Sequence, residues 1–194
     1  MRALVTGGAG FIGSQLVDRL LADGLEVRVL DDLSTGHLEN LPAHSALTVV
    51  YGVVGVLVTV YRVVSGCDWV FHEAAIASVP KTIEDPIASQ RVNYGGTVNV
   101  LEAARNAGVR RVMFAASAAA YGDLPDQPKS EAMLVKPLSP YAVDKLASEY
   151  ACQVYHRVYG LETVCLRYFN VYGPRQDPSS PYSGVISLFA DRLG

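Results

Sequence analysis

Tyr141-Ala142-Val143-Asp144-Lys145 sets a phenol and an ammonium four residues apart. On a helix these positions share one face. A phenol with its ordinary pKa of about 10 is a poor base at neutral pH. A cation one turn away, with a second cation brought close by a bound cofactor, favours the phenolate and so makes it a usable acceptor for a hydroxyl proton. Ser117 stands upstream at the end of the apolar run Arg111-Val112-Met113-Phe114-Ala115. From a strand end its hydroxyl can bond the same substrate oxygen. A Tyr-x-x-x-Lys spacing is common by chance, so its weight depends on what else the chain builds around it.

The chain opens with Ala3-Leu4-Val5 and then Thr6-Gly7-Gly8-Ala9-Gly10-Phe11-Ile12-Gly13. This is a buried strand, a glycine-rich turn and the start of a helix. Gly7, Gly10 and Gly13 let backbone come close to a pyrophosphate, and the amides at the helix start, at Phe11 and Ile12, point at its charge. Phe11, Ile12, Leu16, Val17, Leu20 and Leu21 recur at helical spacing and Gly24 ends the run. A second apolar run, Val27-Arg28-Val29-Leu30, leads to Asp31, eighteen residues past Gly13. That is close to the distance of about 20 residues expected for an acid that grips the hydroxyls of an adenosine ribose. Asp31 would repel a 2′-phosphate, which favours NAD over NADP.

Further elements follow in alternation. A third strand is predicted near Leu47–Tyr51, a helix near Leu57–Ser65 and a fourth strand over Asp68–His72. A long helix is expected from about Asp85 to Ala107. Strand five runs from Arg111 to Ser117, a helix covers Tyr141–Tyr159, and Thr163–Arg167 makes strand six. Alternation of this kind implies an α/β fold, a doubly wound parallel sheet with helices on both faces and ligands beyond the carboxyl ends of the strands. After Phe169 the composition turns to Gly, Pro, Ser and Tyr. The expected division is a dinucleotide-binding unit over residues 1–169 and the beginning of a second, incomplete unit over 170–194, which includes a helix-like run from Val185 to Leu193.

Composition narrows the function classes. The net charge of −3 gives no basic footprint for nucleic acid. Cys67, Cys152 and Cys165 are few, far apart and without C-x-x-C spacing, which predicts free thiols in a cytoplasmic protein and no metal site. Residues 46–61 contain no charged side chain. The run is too short for a membrane span and is broken by Gly52 and Gly55, so it is read as strand and helix rather than membrane. The apolar N-terminus is read as the first strand rather than a leader. His72 and Trp69 are assigned to the core.

Together the glycine turn, Asp31, Ser117, Tyr141 and Lys145 resemble the extended short-chain dehydrogenase/reductase family, in its nucleotide-sugar epimerase/dehydratase branch. Matching segments include Phe71-His72-Glu73-Ala74-Ala75, Gly96-Thr97-Val98-Asn99-Val100-Leu101-Glu102-Ala103-Ala104, Ser139-Pro140-Tyr141 and Arg167-Tyr168-Phe169-Asn170-Val171-Tyr172-Gly173-Pro174. The resemblance implies a cofactor-facing set that adds Asp32, Leu33, Ser34, Thr35, Gly36, Val53, Val54, Ala74, Ala75, Ala115 and Tyr168. It implies Ser117, Tyr141 and Lys145 as the catalytic group, with Lys145 also bonding the nicotinamide ribose. Ser78, Ser117, Asn170 and Arg175 are implied at the substrate. Asn93 has two readings, cofactor contact or structural bonding behind the site. Dehydratases of this branch carry an Asp-Glu pair after the catalytic serine or threonine, and here Ala118-Ala119 stand there. With Arg175-Gln176-Asp177-Pro178 and Tyr182 downstream, the likeness is strongest to UDP-hexose 4-epimerases, including those that take N-acetylated sugars. Two alternatives stay open: another NAD-dependent nucleotide-sugar oxidoreductase or decarboxylase, and a non-catalytic NAD-binding module. The resemblance also implies a homodimer formed through the two long helices.

The chain departs from this pattern in two places. The family places Gly-Asp after strand three, with the acid on the adenine amino group, whereas this chain has Gly52-Val53, and Gly55-Val56 where a helix-capping acid is expected. Relatives also continue well beyond the position of Gly194, in a part that closes over nucleotide and sugar.

Overall fold

The structure is a computed structural model and describes residues 1–177. Tyr182 and the run 185–193 lie outside the described residues.

Six strands form one sheet: β1 (Arg2–Thr6), β2 (Glu26–Asp31), β3 (Leu47–Tyr51), β4 (Trp69–His72), β5 (Arg111–Ser117) and β6 (Glu162–Tyr168). Their order is β3-β2-β1-β4-β5-β6, and every neighbouring pair is parallel. The central strand β1 reads Ala-Leu-Val because helices or packed chain cover both of its faces, and Ala3, Leu4 and Val5 are fully buried. The strand order reverses between β1 and β4, which opens a crevice at their carboxyl ends.

One face is covered by α1 (Phe11–Ala22), whose Val17, Leu20 and Leu21 pack with Ala3, Val5, Val27 and Val29. The other face carries α2 (Leu57–Val64), α4 (Pro86–Asn106) and α5 (Pro140–Tyr159), packed over Leu4, Leu30, Val70, Val112 and Phe114. The charge-free stretch divides into β3 and α2, and among the described residues no helix is long and apolar enough to cross a membrane. The α2 start at Val56 has no side-chain cap, as the missing acid predicts.

A short helix absent from the sequence reading, α3 (Val79–Glu84), precedes α4. Asp85 ends α3 and caps α4 by accepting the Ala88 amide at 2.9 Å, and Pro86 follows as the first helical residue. Helix α5 starts the same way. Ser139 Oγ accepts the Ala142 amide at 3.2 Å, Pro140 follows, and Gly160 in the left-handed region ends it. These caps fix where Tyr141 and Lys145 stand along α5.

Trp69 packs beside the α1 core, as expected. The cysteines are free thiols, but the fold brings Cys152 on α5 against Cys165 on β6, which their separation in sequence does not suggest.

His72 is core, as its position at the end of an apolar strand predicts. Its Nδ1 meets Thr6 Oγ1 at 2.7 Å and its Nε2 meets Thr97 Oγ1 at 3.1 Å. Burial, with the nearby Lys145 charge, pushes its pKa down to about 3. An unfolded chain binds this proton near pH 6.5 and the folded one does not until about pH 3, so the stability carried by neutral His72 is present above pH 6.5 and lost as pH falls toward 3. Denaturant titrations across that window are expected to show falling stability, with a shallower fall in His72→Gln.

A candidate dinucleotide and proton-transfer site

Two turns build the phosphate end. Gly7 sits at φ 68°, a conformation that L side chains rarely adopt, and a Cβ on it would lie 2.8 Å from the Ala74 nitrogen. Gly13 lets α1 press onto the turn, since a Cβ there would lie 2.1 Å from the Gly7 carbonyl oxygen. The helix begins at Gly10 without a side-chain cap, which leaves the Phe11 and Ile12 amides directed into the crevice mouth.

Asp31 ends β2 beside this turn. Its Oδ2 accepts the Ala9 amide at 2.9 Å and its Oδ1 the Leu33 amide at 2.8 Å. A carboxylate has about four lone-pair sites, so acceptor capacity remains for two hydroxyls. The loop that follows is drawn down onto the glycine turn. His37 N–H and Asn40 Nδ2 both donate to Ala9 O, and a Cβ on Gly36 would touch the same residue. Asp32 braces this loop by accepting from the Ser34 amide and hydroxyl at 3.0 and 2.6 Å. These features fit the pyrophosphate and ribose of a dinucleotide: a turn that admits no Cβ, unpartnered helix-start amides and a partly satisfied acid at strand-end spacing.

Across the crevice, β5 and α5 carry the three residues expected to transfer a proton. Ser117 is the last residue of β5; its hydroxyl accepts the Ala119 amide at 3.1 Å and lies close enough to the Tyr141 phenol to lower its pKa. Lys145, one turn further along α5, is buried and donates to the Ala115 carbonyl at 2.7 Å, with Nζ 5.8 Å from the Tyr141 ring centre. The three expected residues therefore meet at one place. The lowering of Tyr141 is expected from Lys145 and a nicotinamide cation together; in the protein alone burial pushes the phenol up, and Ser117 pulls it only part of the way back. Burial also brings Lys145 down to about 8, while Glu73 and Asp144 work in the opposite direction.

Glu73 is a buried acid beside this group that the sequence reading did not single out. It follows β4 directly, and its Oε1 accepts from the Tyr168 hydroxyl at 3.3 Å, across β5. Burial raises its pKa and Lys145 lowers it. An acid between a strand end and the small pair Ala74-Ala75 is the available signal, but nothing in its spacing points to Lys145.

The remaining predicted residues divide between the crevice and its supports. Ala74 and Ala75 line the turn after β4, and Tyr168 ends β6 on the Glu73 side. Asn93 is buried and braces the loop from behind: Oδ1 accepts the Ile76 amide at 2.8 Å, while Nδ2 donates to Ile76 O and Ser89 Oγ. That is the structural alternative of its two readings. Val54 is buried beneath α4, where Gly96 makes room for it, and Val53 remains half-buried. Ser78 caps α3. Asn170 is exposed just past β6. Arg175 reaches α1 and pairs with Asp18 at 2.7 Å. Nearby, Gln15 donates to Pro174 O and Gly173 approaches the Phe11 ring, so the segment after β6 crosses back toward the phosphate turn.

A reversed parallel sheet, a glycine turn feeding α1, an acid closing β2 and a Ser-Tyr-Lys group on β5 and α5 define a dinucleotide-binding protein of the short-chain dehydrogenase/reductase type. The profile of the NAD dependent epimerase/dehydratase family matches residues 3–194. The chain belongs to that family. It is 46% identical over 200 residues to a UDP-glucose 4-epimerase of Mycolicibacterium smegmatis, covering all of this chain and 63% of the relative. Among solved structures, a UDP-N-acetylglucosamine 4-epimerase from Methanobrevibacter ruminantium, in complex with UDP-N-acetylmuramic acid, superposes with a TM-score of 0.93 at 40% identity, over 99% of this chain and 62% of that one. The Thermus thermophilus UDP-glucose 4-epimerase in complex with NAD gives 0.90 at 45% identity, over 100% and 62%. The chain thus spans somewhat under two thirds of the length of these relatives.

Proposed function

We propose that this chain carries the NAD-binding and proton-transfer part of a UDP-hexose 4-epimerase acting through a transient 4-keto sugar. The observation that carries the reading is the convergence of Ser117, Tyr141 and Lys145 at the carboxyl end of β5, facing the glycine turn. The named activities of the relatives support the substrate class.

NAD, when bound, supplies the acceptor and then the donor of the C4 hydride. The protein's part is the proton. Tyr141 Oη takes it from the sugar 4-hydroxyl as the C4–H bond breaks and the carbonyl forms, then returns it as the hydride comes back to the other face. Ser117 Oγ holds the same oxygen. Lys145, fixed by Ala115 O, favours the phenolate once a second positive charge stands nearby. Ala118 and Ala119 offer no acid or base next to Ser117, which sets the site apart from 4,6-dehydration. Asp31 selects a free ribose, hence NAD.

The homodimer reading rests on α5, which exposes Val143, Tyr150, Val154 and Val158 along one side. Under this reading, purified chain with NAD and UDP-glucose forms UDP-galactose without net NADH, and the N-acetylated pair reports the sugar preference. Net NADH would favour an oxidoreductase, and NAD binding without turnover a cofactor-binding module.

A further inference from the structure

The rim of the crevice beyond β3 holds a feature that epimerisation does not use. The phosphate turn follows β1 and Asp31 closes β2, so a nucleoside laid outward from β1 across β2 sets its base against the chain leaving β3. That chain is Gly52-Val53-Val54-Gly55-Val56. It is held beside Asp31, because the Gly52 amide donates to Asp31 O at 2.9 Å.

The segment has only glycine and valine side chains, so it offers no side-chain acceptor. Three of its carbonyls are engaged as well: Val53 O takes the Val56 amide at 3.1 Å, Val54 O takes Asn99 Nδ2 at 2.9 Å, and Val56 O takes the Thr59 and Val60 amides. Val54 turns inward against Gly96, leaving half-buried Val53 as the side chain that borders the base. On the α4 side the atoms nearest Gly55 are the Arg91 main-chain carbonyl oxygen and Cγ. The 6-amino group of adenine is itself a donor, and no side-chain acceptor on this segment waits for it.

We propose that Val53 makes this base subsite apolar, so that the site recognises a purine by contact and not by its 6-amino group, and takes a 6-oxopurine dinucleotide as readily as NAD. The proposal rests on the NAD reading above. Calorimetric titration of the purified chain with NAD and with nicotinamide hypoxanthine dinucleotide tests it. The two Kd values are expected to agree within about threefold, and Val53→Asp is expected to create a preference for NAD of about tenfold or more by supplying an acceptor for the amino group. Val53→Asn, which keeps an acceptor without a charge, is expected to shift the ratio in the same direction. A preference for NAD of about tenfold or more in the unaltered chain, or a ratio unmoved by both substitutions, overturns the proposal and leaves NAD binding standing. Binding of neither dinucleotide overturns both readings.

Discussion

Tyr141→Phe is expected to lower epimerase turnover by about 10²–10⁴-fold while leaving the NAD Kd within about threefold of the unaltered chain. The substitution removes one oxygen from a half-buried ring and keeps the ring's packing on α5. Under the proposed mechanism, what disappears is the atom that receives the 4-hydroxyl proton, and no neighbour replaces it. Ser117 Oγ is an alcohol already bonded to the Ala119 amide, and Lys145 Nζ is committed to Ala115 O. Glu73 is directed to Tyr168. Stopped turnover with intact binding, measured by product chromatography and calorimetry, is the signature of a proton-transfer residue. Turnover within about threefold of normal would remove Tyr141 from that role.

Gly13→Ala is the substitution with the largest expected effect on the cofactor end. The added Cβ would lie 2.1 Å from the Gly7 carbonyl oxygen and 2.8 Å from Gly8 Cα, so backbone on both sides must move. Overpacking typically costs about 1–3 kcal/mol and more where the obstacle is backbone. The only relief is to lift α1 off the turn, which swings the Phe11 and Ile12 amides away from the phosphate position. Chemical denaturation should show a loss of about 3 kcal/mol or more, and NAD binding should weaken even where the variant remains folded. Gly24→Ala is the contrast. That glycine sits at φ 80° with open space around it, so its cost is local strain with no effect on binding.

Much of this arrangement could be read from the sequence because it depends on local pattern. Apolar runs marked all six strands. Ser139-Pro140 and Gly160 bounded α5, and the interval from Gly13 to Asp31 matched one strand–helix–strand passage. The boundary between β3 and α2 was legible despite its valines because Gly52 and Gly55 interrupt them.

What could not be read depends on side-chain direction and on contacts between distant strand ends. Glu73 and Tyr168 are 95 residues apart and meet only because β4, β5 and β6 are adjacent and in register. The Arg175–Asp18 pair joins residues far apart in sequence because the chain after β6 turns back over α1. The lysine spacing correctly placed Lys145 beside Tyr141, but spacing carries no information on burial. Burial is the larger influence on both groups and raises the phenol's pKa instead of lowering it. Under the proposed mechanism its activation needs the nicotinamide charge as well as Lys145, as the sequence reading expects.

Under the proposed mechanism hydride leaves C4 of the sugar and returns to the same carbon without meeting solvent. Incubating the purified chain with NAD and UDP-glucose deuterated at C4, then reading the product by mass spectrometry, tests it most directly. The predicted result is UDP-galactose with the deuterium retained at C4. Deuterium lost to water, or no UDP-galactose formed, would contradict it.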